Sequence, residues 1–147
     1  MCTPNNNENI EVKNTFYEKL EEITDKIGGT RENVMKGDFK IKTGFRKKDV
    51  IVGELGENVV EDNGVRLIEL CSTYDLKNTN CFYILKDTCK YSKYQSIKQL
   101  KTFIYYLVIK QRTELKLLEV TVRGVECGSD HFMVRARLTF LYTNNLI

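Results

Sequence analysis

Apolar residues fall at helical spacing early in the chain and at strand spacing later. From Val12 to Ile27 they recur every three or four positions, as Val12, Phe16, Leu20, Ile23 and Ile27. Glu and Lys fill the gaps and Gly28-Gly29 follow as a stop, which predicts an amphipathic helix over 12–27. The run "NVMKGDF", 33–39, predicts a short strand over 33–36 that closes in a Gly-Asp turn. Residues 41–61 carry Gly44, Gly53 and Gly56 among charges and read as a long surface loop. Asn63-Gly64 then opens a second helix over 64–74, with Val65, Ile68 and Cys71 on one face.

Beyond that helix the period shortens. "NTNCFYI", 78–84, predicts a strand, and a polar, tyrosine-containing connection leads to "TFIYYLVIK", 102–110. The β-branched and aromatic content of 102–110 suits a buried strand. "KLLEVTV", 116–122, predicts another. In "FMVRARLTF", 132–140, the residues Val134, Ala136, Leu138 and Phe140 alternate with Arg135, Arg137 and Thr139, giving one core face and one wet or ligand-facing face. Helices early and strands late, without repeats or a strict βαβ rhythm, indicate a mixed α/β fold.

Composition narrows the class. The 147 residues suit one domain with a real core, and 41% apolar with 29% charged residues is a globular balance. No apolar run is long enough to span a membrane, and "MCTPNNNENIEVKN" lacks the basic start and apolar core of a signal peptide. The five cysteines, Cys2, Cys71, Cys81, Cys89 and Cys127, show neither a disulfide framework nor zinc spacing. Cys71 and Cys81 fall in apolar runs as small core residues. An intracellular setting, cytoplasmic or nuclear, is the expectation. The net charge of +3 is too mild to mark a nucleic-acid binder by itself. Arg46, Lys47 and Lys48, and "KYSKYQSIKQLK" from Lys90, are local basic clusters, which otherwise read as a solvated lysine-rich surface.

Candidate chemistry sits in two acidic turns. "GDF", 37–39, and "GSDHF", 128–132, place Asp38 and Asp130 next to strand-like runs, and His131 is the single histidine of the chain. A carboxylate there can bind a metal or orient a base, and an Asp beside a His can fix the imidazole tautomer. The plainer alternative is that each Asp bonds the backbone of its own turn. Neighbouring residues on an extended backbone point to opposite sides, so Asp130 and His131 serve one site only if the chain turns there.

In order, "GDF", "NGVRLIELCSTYDLKNTNCFY", "KYS", "YYLVIK" and "GVECGSDHF" resemble the C-terminal part of the endonuclease/exonuclease/phosphatase family. Within it the likeness is to the endonuclease domains of LINE-type non-LTR retrotransposons and related host proteins. It runs from about Thr3 to Phe140, and residues 1–142 are assigned to this domain with 143–147 as a tail. The resemblance implies part of a two-sheet, DNase I-like α/β sandwich, a magnesium ion, and DNA as phosphodiester substrate. It matches Asp130 and His131 to the terminal pair that holds metal and phosphate. Asp38 matches the Asp that orients the attacking water. Asp38 and Asp130 are then the metal ligands, and Lys40, Ser92 and Ser129 the weaker phosphate contacts.

Departures accompany the match. Lys40 replaces the Asn of Gly-Asp-Phe-Asn, and Tyr105 of "IYY" replaces the Asp that bonds the catalytic His. Cys2 stands where the Tyr-x-Pro segment opens, so the N-terminal half with its metal-binding Glu is expected to be missing and magnesium to be held weakly. The resulting expectation is a catalytically inactive remnant of such an endonuclease. The alternatives are a binding remnant using Arg46–Lys48, Arg135 and Arg137 on phosphate, and a relic that folds partly or not at all. Uncovered sheet surface would favour self-association.

Overall fold

The computed structural model describes residues 3–39, 41–44, 46–54, 58–82, 93–95, 100–102, 105–113, 115–123 and 133–140. Two helices, α1 (Ile10–Ile27) and α2 (Asp62–Thr73), accompany seven strands. These are β1 (Val34–Asp38), β2 (Leu76–Asn78), β3 (Lys93–Gln95), β4 (Leu100–Thr102), β5 (Tyr105–Lys110), β6 (Leu115–Arg123) and β7 (Met133–Phe140). The fold is mixed α/β. Three strands form an antiparallel sheet in the order β1-β5-β2, while β3 pairs with β4 and β6 with β7.

Helix α1 starts where Asn9 accepts the Glu11 N–H and stops at Gly28, whose positive φ of 74° suits glycine. Its buried stripe is Lys13, Tyr17, Leu20 and Thr24. The apolar stripe expected from the sequence is therefore rotated: Val12 and Ile23 are exposed, and only Leu20 of that set is fully buried. Polar residues occupy the inner face because they find partners there. Lys13 pairs with Asp62 at 3.1 Å, and the Thr24 hydroxyl donates to the Leu20 carbonyl at 2.8 Å. In α2, Leu67, Ile68, Leu70 and Cys71 turn inward, whereas Val65 faces solvent.

Strand β5 is covered on both faces, which explains its unbroken apolar sequence. Tyr106 and Val108 join the main core with Tyr17, Leu20, Met35, Phe39, Ile41, Leu67, Leu70, Cys71 and Leu76. Leu107 and Ile109, on the opposite face, meet Ala136 and Leu138 of β7. Each such side chain withdrawn from water contributes about 1.5–3 kcal/mol before conformational entropy is set against it. Phe140, expected in the core, is exposed at the far end of β7.

Two further expectations change. The described part of 78–84 does not continue as a strand: β2 ends at Asn78 and a 3-10 turn follows over Thr79–Cys81. Local polar groups take over there, since the Asn78 amide reaches Thr43 Oγ1 and Cys81 Sγ, and the Thr79 hydroxyl donates to the Leu107 carbonyl at 2.7 Å. The segment 41–61 is more than a surface loop. Ile41, Thr43 and Val52 are buried, and isolated bridges tie Thr43 to Val60 and Val52 to Asn78. Its tip at Arg46–Lys48 is exposed. The polar, tyrosine-containing connection also contains β3, which pairs with β4.

Candidate active site

The Gly-Asp-Phe segment lies where three distant pieces of chain meet, and Gly37 and Asp38, expected in a turn, instead continue β1 because both pair with β5. Pairing of β1 with β5 sets Gly37 opposite Tyr106 and Asp38 opposite Tyr105. Just past the strand, Phe39 is buried and stands edge-on to the Tyr106 ring, with centroids 6.1 Å apart. The Tyr106 hydroxyl donates to the Ile41 carbonyl at 2.8 Å, fixing the chain beyond the end of β1. On the other side the Thr3 hydroxyl donates to the Phe39 carbonyl. Thr3, Phe39 and the Tyr105-Tyr106 start of β5 are thus gathered at one end of the sheet.

Helix α2 holds this end from below. The Asn63 amide donates to the Pro4 carbonyl at 2.9 Å, and the Tyr17 hydroxyl to the Asn63 carbonyl at 2.8 Å. A Cβ on Gly64 would sit 2.0 Å from the Lys42 carbonyl oxygen, so this helix start approaches the post-turn backbone as only glycine allows. Thr3, Asn63 and Gly64 position the segment that follows β1, and sequence reasoning missed that role. Their one visible signal was Asn63-Gly64, read simply as a helix opening.

Charge around α1 and α2 serves this clamp. Lys13, its side chain only 7% exposed, donates to the Asn6 carbonyl at 2.6 Å as well as to Asp62. Arg66 also reaches Asp62, at 3.3 Å, and bonds Asn14. The Lys13 hydrogen bond, reinforced by Arg66, holds the Asp62 carboxyl below its ordinary range. Burial pushes the Tyr17 phenol well above its usual value, more than Arg66 opposes. Tyr17 therefore remains a neutral donor to the Asn63 carbonyl.

Of the sequence-predicted site residues, Asp38 is described by its backbone at the end of β1. Lys40, Ser92, Ser129, Asp130 and His131 lie outside the described residues. Among the described residues no group of three or more His, Cys, Asp or Glu could hold a metal ion. No helix among them is long and apolar enough to cross a membrane. Cys71 and Cys81 are buried in the core, as expected.

The chain is similar to craniofacial development protein 2. It is 30% identical to that protein from Bos taurus over 126 residues, which cover 83% of this chain and 21% of the relative. Identity to the Tragulus javanicus protein is 29% with the same coverage. The chain spans about a fifth of the length of these curated relatives. No family model matches it, and no solved structure does.

Proposed function

We propose that this chain is the C-terminal part of an endonuclease/exonuclease/phosphatase-type domain, descended from a LINE-type retrotransposon endonuclease, that no longer cleaves DNA. The observation that carries the reading is the register of β1 on β5. It sets Asp38, matched to the water-orienting Asp, directly opposite Tyr105, matched to the carboxylate that holds the catalytic His. Two motifs some seventy residues apart thus meet residue against residue, which chance similarity does not require. The apolar contact of Ala136 and Leu138 with Leu107 and Ile109 supports a second sheet stacked on the first. The similarity to craniofacial development protein 2 supports a host-protein lineage.

Inactivity follows from what stands at the matched positions. A carboxylate beside His131 would fix its tautomer and favour the charged imidazole, whereas a tyrosine offers a neutral phenol. Lys40 is a cation without the acceptor of the Asn it replaces. Losing one preorganised polar group commonly costs about 2.7–4 kcal/mol, or 10²–10³ in rate, and such losses overlap instead of adding. Asp38 and Asp130 supply hard oxygen donors that suit magnesium, but two carboxylates hold it loosely. When bound, magnesium would neutralise charge on the phosphoryl oxygens.

The test is nicking of supercoiled plasmid by the purified chain with magnesium or manganese, read beside its size-exclusion profile. Cleavage at background level is expected. Metal-dependent nicking that disappears in His131→Ala would overturn the proposal.

A further inference from the structure

Two adjoining depressions, about 630 and 400 Å³, run along the β2 edge of the sheet and meet at Asp49 and Phe82. Each is within the roughly 300–1,000 Å³ of ordinary ligand clefts. Lys77 and Arg112 line the first, Arg46 and Lys48 the second, and the Phe82 ring, 39% exposed, stands between them. From these observations we infer a groove for single-stranded nucleic acid, with phosphates on the cations and a base stacked on Phe82.

Charge pairing within the groove favours an anionic guest. The Asp49 carboxylate is already used: it accepts the N–H groups of Ile51 at 2.7 Å and Val52 at 3.1 Å and pairs with Arg46 at 3.5 Å. These bonds outweigh partial burial and hold its carboxyl below the ordinary range. Lys48 and Arg112, both exposed, make no ion pair with the described residues, and Lys77 spends one donor on the Gln111 carbonyl. Glu54 also lines the second depression, leaving three available cations against one acid among the described residues. A basic track interrupted by an exposed aromatic is the arrangement that holds a single strand, because every base has a face to stack. A duplex hides those faces and would gain from the cations alone.

This groove is separate from the Asp38 end of β1. Lys77 pairs with Ile109 whereas Asp38 pairs with Tyr105, roughly 13 Å apart along β5 at about 3.3 Å per residue. The inference uses no residue of the candidate active site and stands whether or not the chain cleaves DNA.

Fluorescence anisotropy of a short labelled oligothymidine, against a duplex of matched length, tests it. Tighter binding of the single strand is expected, with a salt slope near −2, at about −0.7 for each of three phosphate contacts. Phe82→Ala should weaken it at least about fivefold, the low end for one stacked base, and Phe82→Leu should do the same with apolar bulk kept. Lys48→Asn with Arg112→Gln should weaken binding about tenfold or more and flatten the slope. Asn is chosen because Lys48 has a left-handed φ of 57°. Removing two charges from α1, Lys19→Gln with Lys26→Gln, should change little. Absence of binding, indifference to both Phe82 variants, or equal loss from the α1 pair would overturn the groove.

Discussion

Asp38 stands directly opposite Tyr105, the last residue of β1 against the first of β5. A carboxylate at that second position would be the ordinary support of a catalytic imidazole. A tyrosine there leaves the strand pairing intact while removing the charge. On the proposed reading the fold persists without the chemistry, because the contacts that build this end of the sheet lie elsewhere: Phe39 on Tyr106, Thr3 on the Phe39 carbonyl, Asn63 on Pro4.

Gly64→Ala tests that clamp. In an ordinary helix interior the change would gain about 1 kcal/mol. Here the new Cβ would lie 2.0 Å from the Lys42 carbonyl oxygen, a backbone atom that cannot step aside cheaply. Overpacking costs about 1–3 kcal/mol, so the net effect expected in urea unfolding is a lower midpoint. A midpoint raised by the substitution would contradict the close approach.

Tyr106→Phe separates ring packing from hydrogen bonding. Phe keeps the edge-on contact with Phe39 but leaves the Ile41 carbonyl without its 2.8 Å donor. A buried acceptor so orphaned costs about 1–3 kcal/mol, and thermal unfolding should fall accordingly. An unchanged melting temperature would mean that Ile41 is satisfied some other way.

Much of this arrangement is legible in the sequence, and the illegible parts share one cause. Helix α1 could be read from its period, but not its orientation, because burying Lys13 requires Asp62, nearly fifty residues away. Val12 and Ile23 face outward as a result. Strand β5 could be read because both its faces are covered, so its apolar run is continuous. "NTNCFYI" misleads because Asn78 and Thr79 spend their side chains on tertiary partners and turn the chain. In the site, the order of the motifs was visible. The pairing of residue 38 with residue 105 depends on strand register, which neither strand encodes alone.

Acid should loosen the clamp with a definite sign. The Asp62 and Asp49 carboxyls are both held below their ordinary value of 3.8 in the fold. A depressed folded value means that the unfolded chain takes up protons first as pH falls. The stabilisation is therefore complete above that value and is lost as pH drops through the folded values below 3.8. Melting temperature followed downward from neutral pH should drop more steeply in the unmodified chain than in Asp62→Asn or Asp49→Asn. Parallel curves would show that neither carboxylate contributes.

On the proposed reading, His131 belongs to the site marked by Asp38 and Tyr105 but lacks its carboxylate support. Because His131 is the single histidine of the chain, its ring resonance in proton NMR is unambiguous, and its pH titration is the most direct measurement. A nearby carboxylate favours the charged imidazole. Tyr105→Asp is therefore predicted to move the His131 titration to higher pH, and Lys19→Asp on the outer side of α1 to leave it in place. A titration that does not respond to Tyr105→Asp would contradict the account.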